Sequence, residues 1–226
     1  MGKVIGELLP VAAGVAISPI PIIAVILMLL SRGHAARNST GFLTGWVVGI
    51  IVVTVVAMLL VGLAPNRSGG KPSTVSSVLK VGFGLLLVVL AAREWRKRPK
   101  PGETAVMPKW MSALDSFTFG KALSLGLVLL LDPTVNLPLC LTAGTTIGAA
   151  HLSVGGEVVA LAVFTLIGAS TVAVPVIGYF VARDWMVPRL KSLRGWLEQN
   201  SATVMAVLFL VIGVVALGHG IGELSS

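Results

Sequence analysis

The segment DPTVNLP (residues 132–138) places an acid, an amide and two prolines inside an otherwise apolar run. The carboxylate of Asp132 could bind a proton or a cation, and an ionised group at the centre of a membrane helix costs at least ~2.5–3.5 kcal/mol. Asn136 follows four residues later, which is one helical turn further on. Two roles stay open for Asp132, which are the cap of a helix and a titrating site in a transport cycle.

The surrounding composition predicts that this segment lies in a membrane. The chain has 226 residues, of which 55% are hydrophobic and 12% charged, with a mean hydropathy of +0.96. Soluble domains average about 25% charged residues. A crossing helix needs about 20 apolar residues, so we predict an all-α integral membrane protein. The six predicted spans are residues 5–31, 41–64, 75–93, 121–149, 156–182 and 201–222.

The distribution of basic residues predicts the orientation. The net charge is +8, and 13 of the 17 lysines and arginines lie in or beside three loops, at 32–40, 94–120 and 183–200. Because basic loops stay in the cytoplasm, these loops are predicted inside and both termini outside. The basic run REWRKRPK (93–100) is interpreted as an orientation signal that also contacts anionic inner-leaflet lipids, rather than as a nucleic-acid site.

Tryptophans and one amphipathic segment support the same face. All five tryptophans are predicted near the cytoplasmic boundary as an aromatic belt, at positions Trp46, Trp95, Trp110, Trp185 and Trp196. Residues 184–200 place Leu190, Leu193 and Leu197 on one helical stripe. This segment is predicted to lie on the inner leaflet as a basic interfacial helix.

A weak internal repeat relates the two halves of the chain. An offset of 114 residues aligns Pro19 with Pro133 and Gly41 with Gly155 without a gap. Each half would contain three spans, so the second half would enter the membrane from the opposite side, as in transporters with inverted repeats. The predicted division is a first repeat at 1–96, a basic cytoplasmic loop at 97–120 and a second repeat at 121–226.

Proline at corresponding positions predicts that the first helix of each repeat is broken. Ser18–Pro19 and Asp132–Pro133 each resemble a helix start, with a capping side chain followed by proline at the first helical position. The carbonyls freed near Val15 and Leu129 must find partners, because lipid offers none. The restarted helices would point partly positive N-termini into the protein, and such ends attract anions. Simple packing kinks are the competing interpretation.

These arguments give a candidate substrate- or ion-binding set and no catalytic set. Its members are Ser18, Pro19, Pro21, Asp132, Pro133, Asn136, Pro138 and Thr142. Cys140 is expected to be a small buried residue. No cofactor or metal site is expected, because the three histidines are scattered. Enzyme activity is not expected either, since no span carries a nucleophile–base pair.

Two stretches carry a resemblance to a known family. They are SPIPIIAVILMLLSRGHAARNSTGFLTGW (18–46) and LDPTVNLPL (131–139). The chain resembles the sulfolipid-addressing, or peptidoglycolipid-addressing, proteins of mycobacteria and related actinobacteria, which are placed in the lysine-exporter superfamily. Relatives often carry an Asn-Pro-Lys-Asn type of motif where this chain has Asp132 to Asn136, so the lysine is absent and an acid replaces the amide.

The resemblance implies a multi-pass protein of the bacterial inner membrane that exports an envelope glycolipid or a lipid-linked precursor. Proton coupling, a homo-oligomer and association with envelope-lipid export machinery are further expectations. Two alternatives stay open, which are an exporter of a small solute such as an amino acid or ion, and a non-transporting accessory subunit of a lipid-export machine.

Overall fold

The structure is a computed structural model that describes residues 1–31, 33–63, 74–98 and 117–224. Within these ranges the chain forms α-helices and no β-strand. Most of the predicted loop at 97–120, including Trp110, lies outside the described residues. The helices are α1 (Gly2–Ala16), α2 (Pro19–Leu30), α3 (Ala35–Leu63), α4 (Thr74–Arg96), α5 (Phe119–Leu130), α6 (Asn136–Ala149), α7 (Val154–Val181) and α8 (Arg183–Leu224).

The first predicted span is broken where the sequence predicts. Helix α1 ends at Ala16 and α2 begins at Pro19, with Ser18 as its N-cap residue. The two helices are bent by 51°. Proline has no N–H to donate, so it interrupts a continuous helix. Its fixed φ suits the first helical turn, so Pro19 instead begins a new helix.

The fourth predicted span is also broken, but its second helix starts later than predicted. Helix α5 ends at Leu130 and α6 begins at Asn136, with Val135 as the N-cap residue. The prediction that Asp132 caps this helix and Pro133 opens it is therefore wrong. The Asp132 side chain instead bonds to Thr134 in the intervening turn, which offers the backbone an alternative to the first helical turn.

Helix α3 lies alongside the broken pair α5–α6 and runs in the same direction. An added Cβ at Gly41, Gly45 or Gly49 would meet Phe119, Leu123 and Leu130 in that order. One added at Gly144 or Gly148 would meet Thr54 and then Met58. Because the residue numbers rise together along both contacts, the helices are parallel, and small residues bring their backbones close.

Helix α1 pairs in the same way with α7. A Cβ added at Gly156 would contact Met1, and one added at Gly168 would contact Val15. The numbers again rise together, so α1 and α7 are parallel. Short connections join α2 to α3 and α6 to α7, and such short connections join antiparallel neighbours.

Trp46 lies in the core between these helices, not in an interfacial belt. Its side chain is fully buried and stacks on Phe42 with ring centroids 6.3 Å apart. Its indole Nε1–H points at the Gly168 carbonyl at 3.5 Å. The belt prediction is therefore wrong for Trp46, whereas Trp95, Trp185 and Trp196 are exposed.

The helices group into two compact units. The first holds α1 to α3, α5 to α7 and α8 up to Glu198, and the second holds α4 and α8 from Gln199. In the second unit, Gly84 of α4 packs against Gly213 and Leu217 of α8. The two predicted repeats are defined by sequence rather than by contacts, so they stay a prediction.

Part of the predicted membrane topology is supported by helix length and composition. Among the described residues, α3, α7 and α8 are each long and apolar enough to cross a membrane, and the bent pair α1–α2 adds a fourth candidate. These helices are as expected of a multi-pass membrane protein. Crossings by α4 and by the pair α5–α6 stay predictions.

The amphipathic segment at 184–200 is the first part of α8. Leu190 and Leu197 on its apolar stripe are buried, and Met186 packs against Gly178 of α7. Two of the three stripe leucines therefore face protein, whereas Leu193 is exposed; the position of this segment on the inner leaflet stays a prediction.

Candidate functional site

The two helix breaks meet at one pair of buried polar side chains. Asn136 Nδ2 lies 3.4 Å from Ser18 Oγ and donates to it. Ser18 is 4% exposed and Asn136 is 2% exposed. Since Ser18 precedes the first residue of α2 and Asn136 is the first residue of α6, the N-terminal ends of the two restarted helices converge here. Pro19 and Pro21 are buried in the first turn of α2.

The carbonyls freed by the breaks find protein partners, as predicted. Asn136 Nδ2 also donates to the Leu129 carbonyl at 3.2 Å. The Ser18 N–H donates to the Val15 carbonyl at 3.4 Å. The Thr171 hydroxyl of α7 donates to the carbonyl of Ala16. Each break is thus closed by hydrogen bonds that lipid could not supply.

One acceptor at this meeting point is unused. Asn136 Oδ1 is buried and has no hydrogen-bond partner among the described residues. A buried acceptor without a partner costs about 1–3 kcal/mol. The two converging helix N-termini and this unpaired oxygen together form a buried polar point between the two broken helices. The arrangement could accept a proton donor or a cation at Oδ1, and the helix ends could attract an anion.

Asp132 lies at the edge of this region. Its side chain is half-buried. Its Oδ1 accepts hydrogen bonds from the Thr134 backbone N–H at 2.9 Å and from the Thr134 hydroxyl at 2.7 Å. This closes a local turn of the kind that aspartate favours. The other carboxylate oxygen of Asp132 takes part in neither of these two bonds.

The remaining candidates contribute locally. Pro133 is exposed in the turn, and Pro138 is half-buried in the first turn of α6. The Thr142 hydroxyl donates to the Pro138 carbonyl at 2.8 Å, four residues back along its own helix. Thr142 is exposed, so the structure does not bring it to the Ser18–Asn136 contact.

Sequence patterns alone do not predict a role for Thr171. Threonines within membrane helices usually bond their own backbone, and the neighbouring Ser170 does so, donating to the Ile167 carbonyl at 2.7 Å. Thr171 instead reaches a carbonyl 155 residues away along the chain. No local pattern predicts a partner at that separation.

An apolar groove lies beside the first break. It has a volume of about 370 Å³ and is walled by side chains of α2, α7 and the first part of α8, which are Ile22, Val174, Pro175, Leu193 and Leu197. Ser170 and Thr171 complete its lining. The groove reaches the break through Thr171, whose hydroxyl holds the Ala16 carbonyl. A cavity shared by both breaks stays a prediction.

No metal-binding cluster is apparent in the part of the chain that the structure describes, since no three His, Cys, Asp or Glu side chains come together there. Cys140 is fully buried in α6, as predicted.

Comparison with known proteins gives one match. Residues 8–222 match the family model described as Sap, sulfolipid-1-addressing protein. No curated protein and no solved structure matches the chain. The matched range includes both helix breaks, the Ser18–Asn136 contact and the whole groove, and it agrees with the resemblance carried by residues 18–46 and 131–139.

Proposed function

We propose a transport function for this chain, which belongs to the sulfolipid-1-addressing protein family over residues 8–222. In this proposal the chain exports an envelope glycolipid or a lipid-linked precursor as a secondary transporter, without catalysing a reaction. The paired helix breaks form the point around which the protein alternates between its two open states. The observation that carries the proposal is the contact between Ser18 and Asn136, which joins two broken helices at their restarted ends.

Broken helices suit this function because their ends offer polar groups inside an apolar protein. In many transporters, interrupted helices meet at the binding site near the middle of the membrane. Here the side-chain hydrogen bonds to the freed carbonyls are few, and they come from Asn136 and Thr171. A few exchangeable bonds of about 0.5–1.5 kcal/mol each can be broken and remade in a transport cycle.

The directions of the helices support two inverted repeats. Helix α3 is parallel to α5–α6, and α1 is parallel to α7. If α2 turns back into α3 and α6 turns back into α7, then the first broken helix runs opposite to the second. That is the relation expected of inverted repeats, in which matching helices of the two halves have opposite orientations.

An accessory role is the second candidate. The family description speaks of addressing a lipid, which fits a protein that delivers or directs cargo to another export component as well as one that carries it. In that case the exposed basic start of α8 would be a docking surface, and the helix breaks would serve only for packing.

Reconstitution of the purified full chain into lipid vesicles separates these candidates. The probe is a sulfated glycolipid with a fluorophore, and its movement across the bilayer is followed with an impermeant quencher, with and without an imposed pH gradient. The transporter proposal requires the chain alone to move the probe. Vesicles in which the wild-type chain moves no probe, although the chain restores lipid export to cells that lack it, would establish the accessory role.

A matched pair of variants tests the site itself. Asn136→Leu removes the bonds to Ser18 and Leu129, while Asn38→Leu removes a comparable buried bond to the Phe117 carbonyl away from the breaks. Loss of buried hydrogen bonds costs about 1–3 kcal/mol. If that loss falls on the transport barrier, Asn136→Leu slows transport by about tenfold or more. Equal rates in the two variants would remove the paired breaks from the mechanism.

A further inference from the structure

The apolar groove beside the first break has walls that present carbon rather than polar atoms. Ile22, Val174, Pro175, Leu193 and Leu197 supply most of the surface. The two hydroxyls in the lining are already engaged, since Ser170 donates to the Ile167 carbonyl and Thr171 to the Ala16 carbonyl. A ligand for this groove therefore needs apolar surface and no hydrogen-bonding group along its length.

One wall of the groove belongs to a basic helical segment. Residues 183–198 contain four basic and two acidic side chains, a net charge of +2. Arg189 lies one helical turn before Leu193, and Arg194 follows it directly, so cationic side chains border the apolar stripe on both sides. Arg194 is paired with Glu198, whereas Lys191 and Arg189 are exposed.

Arg189 is held in position by Trp185, on the side of Leu193 that is nearer the start of α8. Its Nη1 donates to the Trp185 carbonyl at 2.8 Å, and its guanidinium lies 3.4 Å from the centre of the Trp185 ring. A guanidinium has five N–H donors, so one bond to a carbonyl leaves donors for an anionic group. An apolar groove and a fixed cation one helical turn before the groove residue Leu193 match the two parts of an anionic lipid.

We propose that this groove binds an acyl chain of an anionic lipid whose headgroup rests against Arg189. The proposal rests on the transport function above and deepens it, because it assigns the acyl chain and the headgroup of the transported lipid to separate surfaces. The occupied groove is coupled to the first break, since Ile22 lies in the first turn of α2 and Thr171 both lines the groove and holds the Ala16 carbonyl. An acyl chain that displaced Thr171 would release that carbonyl and loosen the bend between α1 and α2.

The test uses the full chain in vesicles and a phosphatidylglycerol with a photoreactive diazirine in the middle of one acyl chain. Cross-linked peptides are identified by mass spectrometry. Val174→Trp fills the groove, and Val158→Trp is its control, because both valines lie on α7 and are 61% and 59% exposed but only Val174 lines the groove. Phosphatidylcholine with the same diazirine is the headgroup control.

We expect the anionic probe to label peptides of the groove wall in wild type and in Val158→Trp, and to lose most of that labelling in Val174→Trp. The neutral probe should label the groove less than the anionic one. Two results would overturn the proposal. One is undiminished labelling in Val174→Trp, as expected if lipid merely touches the outer surface or a second copy covers the groove. The other is equal labelling by the two headgroups.

The groove proposal and the transport proposal can be refuted separately. Specific labelling of the groove in a chain that moves no lipid would leave the groove assigned and refute the transporter. Lipid movement without specific labelling would keep the transporter and refute the groove.

Discussion

The side chains of Asn136 and Thr171 hold the ends of two broken helices. Each donates to a carbonyl that has lost its helical partner, at Leu129 and at Ala16 respectively. Each donor lies on a different helix from the carbonyl that it satisfies. The stability of each break therefore depends on tertiary contacts and not on the break alone.

Thr171→Val should destabilise the protein by about 1–3 kcal/mol, because it keeps the shape of the side chain but leaves the Ala16 carbonyl without its donor. Ser170→Ala is the matched control, since the Ser170 hydroxyl bonds only within its own helix, and we expect a change of less than about 0.5 kcal/mol there. Thermal unfolding in detergent measures both. Equal melting temperatures for Thr171→Val and wild type would show that the bond contributes nothing.

Asp132→Asn tests proton coupling without disturbing the turn. The asparagine Oδ1 can accept the same two bonds from Thr134 that Asp132 Oδ1 accepts, so the variant should insert and unfold like wild type. We expect it to lose the dependence of lipid movement on an imposed pH gradient. Asp132→Ala should lose that dependence too, and should also be less stable by about 1 kcal/mol because the turn loses its acceptor.

An Asn variant that still responds to the pH gradient would limit Asp132 to its role in the turn. The paired helix ends would then remain the candidate substrate site, without a proton-binding group at this position.

At the scale of the elements, glycines decide how closely the helices approach. Gly126 of α5 faces the backbone of α3, where an added Cβ would lie 2.5 Å from the Phe42 carbonyl oxygen and 2.9 Å from the Trp46 nitrogen. Neither backbone atom can move without moving α3. The Trp46 indole itself points away to α7, where its Nε1–H faces the Gly168 carbonyl.

Gly126→Ala should therefore destabilise the protein by about 1–3 kcal/mol, as overpacking of a tight contact usually does. Gly120→Ala on the same helix is the control, because an added Cβ there meets nothing within 4 Å. Alanine is the better helix former by up to about 1 kcal/mol, so the control should be as stable as wild type or more stable. A destabilised Gly120→Ala would mean that the loss at Gly126 is not specific to the α3 contact.

The predictability of these elements depends on whether their cause is local. Ser18–Pro19 predicts its helix start because the fixed φ of proline acts within one turn, although the Ser18 side chain makes no capping bond to α2. Asp132–Pro133 carries the same local signal, yet α6 begins at Asn136, where the side chain reaches Ser18 and Leu129 instead. The burial of Trp46 was likewise missed, because its indole faces the Gly168 carbonyl, 122 residues away in sequence.

At the scale of the whole molecule, the exposed turns allow the predicted orientation to be tested. His34 lies before α3 and His151 between α6 and α7, and both are exposed. The basic loops predict His34 inside and His151 outside. In a Cys140→Ala background, an impermeant thiol reagent added to intact cells should label His151→Cys and not His34→Cys.

Permeabilised cells give the control for this labelling, since both cysteines should then react. Labelling of His34→Cys in intact cells, with His151→Cys protected, would reverse the topology and place the basic start of α8 outside the cell.

The pairing of α1 with α7 also has a consequence for biosynthesis. The Ala16 carbonyl receives its hydrogen bond from Thr171, 155 residues later. The Trp46 indole faces the carbonyl of Gly168, which also lies in α7. At ~5–20 residues per second, a ribosome needs on the order of ten seconds or more to cover that distance. During this interval the Ala16 carbonyl of α1 has no donor, and the Trp46 indole of α3 lacks its contact with α7. Only the synthesis of α7 supplies the partners of both groups.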